Sequence, residues 1–206
     1  MYNVDIRNCL KEAIQQNNID INKNITLLLP RRIGMPPQTH HTETIFFGEH
    51  AIVPEYICLG DKKEQQYNYI FHLRSRDLRK EDNWSIENWK KLKTLLGDKK
   101  IACVGTKEEA EWIEGTDDLR SISLQSLLTL MTNTECVFGP SSGPMHLSSL
   151  CNVPHVVWSI PQNKVRYEKN WNPLKTPILF LDKYSWHPSA EYVHNKYINW
   201  NRHESK

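Results

Sequence analysis

Between Cys136 and Ile160 the chain reads CVFGPSSGPMHLSSLCNVPHVVWSI, and here residue types and spacing converge on chemistry. Cys136, Val137 and Phe138 have the apolar character of the end of a buried strand. Gly139-Pro140-Ser141-Ser142-Gly143-Pro144 reads as a turn that opens a helix from Pro144 to Leu150, and Val153–Trp158 follows as a second strand. Such a unit turns the first helical N–H groups toward the crevice at the carboxyl ends of parallel strands, where these sheets hold anionic ligands. Gly143 permits close approach to the backbone, and Pro144, near the first helical position, gives up a donor that has no intrahelical partner. Ser141 and Ser142 add hydroxyl donors. Met145 and His146 fall in the first turn, at the positive end of the helix dipole. The same residues also fit an ordinary capped helix start with a surface histidine.

The elements that must position this stretch begin at Tyr67. YNYIFHL (67–73) reads as a buried strand with Arg74-Ser75-Arg76 at its carboxyl end. Ser85 caps a helix in which Ile86, Trp89, Leu92 and Leu95–Leu96 recur at helical spacing; Gly97 ends it, and Trp84 with Trp89 has the spacing of a hydrophobic staple. Ile101–Val104 is the next strand. After the Gly105 turn, Thr106 to Glu109 has the form of a capping box, which predicts a helix through Ile113 closed by Gly115. A short strand is expected near Leu119–Ile122, an apolar-faced helix over Ser123–Met131, a strand at Ile178–Leu181, and a last helix capped by Ser189. Strands alternating with helices imply an α/β, three-layer parallel sheet with right-handed crossovers. The boundary of this domain is expected near 61–66 (DKKEQQ), giving a short N-terminal region, 1–66, and a larger domain, 67–206. Within the first region a weak helical pattern covers 3–17, Ile25–Leu29 reads as a strand, and Ile45–Phe47 and Tyr56–Leu59 are short apolar pieces.

Composition narrows the function. A net charge of +2 over 206 residues gives no case for nucleic acid as the main partner. The five cysteines form no C-x-x-C pair, which argues against a zinc site or disulfide framework and for a reducing, cytoplasmic setting. No apolar run approaches the ~20 residues needed to span a bilayer, and the N-terminus lacks the layout of a secretion signal. His40-His41 is not expected to bind metal, because adjacent side chains point apart and no partner stands at suitable spacing.

Three pieces of the chain resemble the heptosyltransferase family. SSGPMHLSSLCNVPHVVWS is similar to its D-x-G-P-x-H-L-A signature and the strand after it, with Ser141 where the signature opens with Asp. IFHLRSR…NWSIENWKKL resembles the strand, basic loop and Trp-led helix that begin its C-terminal domain, and IACVGTKEEAE its hydrophobic strand, glycine turn and acidic helix start. The resemblance covers about residues 67–200 and implies the C-terminal, Rossmann-like donor-binding half of a GT-B fold, with residues 1–66 as the remnant of an acceptor domain. It implies transfer of a sugar from a nucleoside diphosphate sugar to an acceptor hydroxyl, with inversion, without a metal and without a further cofactor. The donor diphosphate would lie on Ser141, Ser142, Gly143, Pro144, Met145 and His146, met from across the crevice by Arg74 and Arg76, which equally fit solvated loop arginines. Gly105 and Thr106 would face the nucleoside, and Lys164 and Arg166 could reach the same crevice. No residue matches the family's acidic base. The sequence leaves the acceptor unidentified, a glycan or a lipid-linked acceptor being one candidate, and a homo-oligomer or a partner supplying the missing half is the candidate for assembly. The alternatives are a non-catalytic nucleotide-binding module and an interaction subunit with a vestigial crevice.

Overall fold

The computed structural model describes residues 60–61, 63–172 and 174–204. The chain divides into two units, Met1–Val53 and Pro54–Lys206, and every described residue belongs to the second. The expected helix over 3–17, the strand Ile25–Leu29, the apolar pieces at 45–47 and 56–59, and the pair His40-His41 lie outside the described residues.

Alternating buried residues build the sheet. Strand β1 (Tyr67–Phe71) sends Tyr69 and Phe71 into one core and Ile70 into another, the period-2 signature of a strand covered on both faces. Helix α1 (Ile86–Leu96) starts where Ser85 accepts from the Asn88 amide and ends at Gly97, whose φ of 74° suits glycine. Strands β2 (Ile101–Cys103) and β3 (Asp117–Asp118), helix α2 (Leu124–Thr132), strand β4 (Thr134–Pro140), helix α3 (Gly143–Leu150), strands β5 (His155–Trp158) and β6 (Ile178–Leu181), and helix α4 (Ala190–Glu204) follow. The six strands are all parallel, in the order β3-β2-β1-β4-β5-β6, with β3 as a short, carboxylate-bearing edge. This is the Rossmann-like order, and its direction of growth reverses between β1 and β4.

Helices cover both faces. Trp89, Leu92 and Leu96 of α1 and Ala190, Val193 and Tyr197 of α4 bury one face, and Met131 of α2 and Met145 of α3 the other. The staple forms as the spacing predicts: Trp84 and Trp89 meet edge-on, 4.8 Å between ring centroids. Cys103 and Cys136 are buried in β2 and β4 as small apolar residues.

One expected element is absent. Residues 106–113 form a turn instead of a helix, although Thr106 Oγ1 does accept from the Glu109 amide at 3.2 Å. The Glu111 amide donates to Leu73 O (2.8 Å), Ser75 N donates to Glu109 O (2.8 Å), and Ala110 bridges Arg74. Pairing with the chain beyond β1 takes the donors and acceptors that an i→i−4 ladder would need. The edge strand near 119–122 also lies slightly earlier, at Asp117–Asp118, with Leu119 N still bonded to Cys103 O.

Candidate functional site

The reversal point lies between the ends of β1 and β4, and the loops that leave those strands meet there. After Pro140 the chain bends through Ser141 and Ser142, the latter extended, into α3, whose first helical bond is His146 N to Ser142 O. Ser142 makes no side-chain cap, and its hydroxyl oxygen is buried without a hydrogen-bond partner among the described residues. Gly143 and Met145 therefore carry first-turn amides with no intrahelical acceptor, and Pro144 between them has none to offer. A Cβ on Gly143 would meet nothing within 4 Å, so its backbone faces open space. Gly139 does the opposite: a Cβ there would come 2.7 Å from Met145 Sδ and 3.3 Å from His72 Cβ. The missing side chain at 139 lets α3 sit close on β4, and fully buried Met145 fixes it there.

Tyr167, on a single π-helical turn over Arg166–Asn170, reaches the same corner from the segment after β5. Its hydroxyl accepts from Ser142 N (3.2 Å) and donates to Ser141 Oγ (3.0 Å). Burial pushes its pKa up to about 12, partly opposed by these two bonds, so it stays protonated. The His146 ring stacks on Tyr167 at 4.2 Å and meets the Trp171 ring at 4.5 Å, and the Arg166 guanidinium lies 5.3 Å from the Trp171 centroid.

From β1, Arg74 enters the corner almost fully buried, 5% exposed. One Nη donates to Ser141 O at 2.9 Å, the other to Asp82 O, and the guanidinium packs 4.8 Å from the Trp186 ring centroid. Its Nε is buried without a hydrogen-bond partner among the described residues. Burial, and then the neighbouring charge of Arg76, lower its pKa to about 10, which leaves it cationic at neutral pH. Arg76 pairs with the Asp82 carboxylate at 3.4 Å, and Asn83 Nδ2 donates to the Arg76 carbonyl. Arg74 thus stands at the reversal point, fastening the β1 loop to the β4 loop, and Arg76 is tied to Asp82 and Asn83 within the β1 loop.

Gly105, at φ 128°, must be glycine: a Cβ would lie 2.5 Å from Ala110 Cβ and 3.1 Å from His72 Nδ1. Exposed Thr106 caps the following turn. Lys164 lies 3.7 Å from Glu168 and 3.9 Å from Asp182. Sequence reasoning left Asp82, an acid in a loop, and Trp186, a tryptophan beyond β6, unassigned, and took Tyr167, in an aperiodic stretch, only as a candidate contact to base or sugar, not as the partner of Ser141 and Ser142. Among the described residues no group of three His, Cys, Asp or Glu is arranged to hold a metal ion, and no helix is long and apolar enough to cross a membrane.

The sheet order and the loop pair at its reversal point define a Rossmann-like α/β domain. No family model and no curated protein matches the chain. Solved structures do. E. coli heptosyltransferase WaaC with ADP is similar over 81% of this chain and 58% of its own, with a TM-score of 0.58 and 15% identity. A glycosyl transferase family 9 protein from Veillonella parvula is similar over 77% and 51%, with a TM-score of 0.50 and 14% identity. The fold is therefore that of heptosyltransferase-like, GT-B glycosyltransferases, and this chain spans 58% and 51% of the lengths of these two proteins.

Proposed function

We propose that this domain binds a nucleoside diphosphate sugar and serves the transfer of the sugar to an acceptor hydroxyl, with inversion and without a metal. The observation that carries the reading is the uncapped start of α3, with its buried, unpartnered Ser142 hydroxyl, beside the buried Arg74 guanidinium. A fold shared with a heptosyltransferase solved with ADP supports nucleotide binding as a reading of this domain. Fold alone does not fix activity, so the weight rests on the site.

In this reading the amides of Gly143 and Met145, with Ser141, Ser142 and His146, take the diphosphate, and Pro144 keeps the turn free of a competing donor. As the acceptor oxygen attacks the anomeric carbon, the bond to the diphosphate breaks and negative charge grows on the leaving oxygen. Fixed dipoles and cations stabilise that charge without reorganising. Arg74 and Arg76 supply the positive field, Arg74 mainly through its position because both its Nη groups already hold carbonyls. The nucleoside lies over Gly105–Thr106, and Lys164 and Arg166 border the crevice on the β5 side. The acceptor half and the base that deprotonates the acceptor come from outside the described residues.

Thermal denaturation with millimolar ADP, UDP or GDP tests this. Ligand at about 1,000 times its Kd adds about 4 kcal/mol of stability. The expected outcome is a clear rise in melting temperature with at least one of them. No shift with any nucleotide overturns the reading. A shift without hydrolysis or transfer of any nucleotide sugar favours a binding module, which the prior engagement of Arg74 by backbone would suit.

A further inference from the structure

Hydrogen-bond directions at the corner are fixed by what each atom is able to do. Ser142 N–H can only donate, and it donates to the Tyr167 hydroxyl oxygen at 3.2 Å. Tyr167 passes its own hydrogen to Ser141 Oγ at 3.0 Å. Ser141 has meanwhile used its amide on Trp158 O (3.0 Å) and its carbonyl on Arg74 Nη1 (2.9 Å). What Ser141 keeps for a ligand as a donor is its hydroxyl hydrogen, and that side chain is only partly buried.

We infer that Tyr167 is a positioning residue that turns Ser141 into a hydrogen-bond donor toward an anionic oxygen of the bound diphosphate; the inference rests on the functional reading above. The row runs amide, phenol, serine hydroxyl, ligand, each member donating to the next, and such rows polarise in one direction. Tyr167 suits the task because its ring is fully buried beside His155 and Phe180 and stacked by His146, so the hydroxyl is held in place. A single π-helical turn, a geometry frequent at functional sites, delivers the ring there. High in pKa through burial, the phenol keeps its hydrogen throughout the neutral range. The unpartnered Nε of Arg74, on a side chain 5% exposed, is a second buried donor at the same corner.

The test measures ADP and inorganic pyrophosphate binding by calorimetry to the full chain and to Tyr167→Phe, Ser141→Ala, Ser141→Thr and the Tyr167→Phe/Ser141→Ala double variant, with melting temperatures recorded for each. Ser141→Ala should weaken binding about tenfold and Tyr167→Phe about fivefold, the scale of a hydrogen bond to a charged group and of a neutral one. Ser141→Thr, which keeps the donor, should bind like the wild type. The double variant should match Ser141→Ala alone, because Tyr167 acts through that hydroxyl. Additive losses, or Tyr167→Phe binding as the wild type does, overturn the inference and leave the diphosphate site standing. If Tyr167→Phe does not fold, the serine pair decides: Ser141→Ala with undiminished binding overturns it. A wild type that binds neither probe overturns the functional reading and the inference together.

Discussion

The two faces of the sheet are packed with different chemistry. On one, Tyr69, Phe71, Trp84, Trp89, Phe138, Trp158 and Tyr197 form a connected aromatic layer with ring centroids 4.6–5.8 Å apart. On the other, Ile70, Val104, Met131, Val137, Met145 and Val157 are mostly aliphatic, and buried polar groups accompany them. His155 holds Val153 O through Nδ1 (2.9 Å) and Ser149 Oγ through Nε2 (3.3 Å), and Thr176 donates to Ser149 O (2.8 Å). The aromatic face sets the sheet; the aliphatic face seats α3 and the phenol at its start. Rigidity and chemistry are thereby divided between the two sides of one set of strands.

That division can be broken most forcefully on the aromatic side. Trp89, 1% exposed and touching Phe71, Trp84 and Trp158, should cost about 4 kcal/mol when replaced by alanine. Chemical denaturation measures it, and a loss smaller than that of Met145→Ala would reverse the roles assigned to the faces. The next effect separates the faces by acidity. Burial lowers the pKa of His72 and of His155 to about 4, while an unfolded histidine titrates near 6.5. Between those values the unfolded chain binds protons that the fold refuses. Stability is therefore complete above pH 6.5 and declines as pH falls toward 4, by about 2 kcal/mol per histidine at pH 5. Urea melts at pH 7 and pH 5 should show this, and His155→Phe should remove about half of the difference. A smaller effect tests the seating of α3. Gly139→Ala should cost about 1 kcal/mol, because buried Met145 and His72 must give way, and should weaken nucleotide binding beyond what stability explains. Smallest of all, Lys91→Ala removes the exposed pair with Glu191 between α1 and α4 and should leave the melting temperature unchanged within error.

Much of the scaffold was legible in the residues. Ser85 caps its helix as its type suggests, the helix expected over Ser123–Met131 runs Leu124–Thr132 with Ser123 as its cap, and Ile178–Leu181 is a strand with the expected bounds. The helix expected after Thr106 failed because a capping box is a local signal, and the chain beyond β1 offered its backbone partners from more than thirty positions away. At the site, Arg74, Arg76, Ser141 and Ser142 were singled out as candidates by their place just after strands. The burial of Arg74 was hidden, because the carbonyls it holds belong to residues 8 and 67 positions away and carbonyls carry no sequence mark. The partnership of Tyr167 with the two serines was hidden for a related reason: a π-helical turn has neither the period of a helix nor that of a strand.

The margin of the sheet at β3 has a consequence for how the molecule behaves in a crowd. A parallel sheet that stops at two residues, both aspartates and both exposed, offers a stranger's strand almost no ladder to join, and their carboxylates are already taken, Asp117 by the Tyr67 hydroxyl and Asp118 by Arg120. Replacing Asp117 and Asp118 with valines would turn a guarded hem into an adhesive one, and concentrated solutions of that variant would cloud where the native protein stays clear.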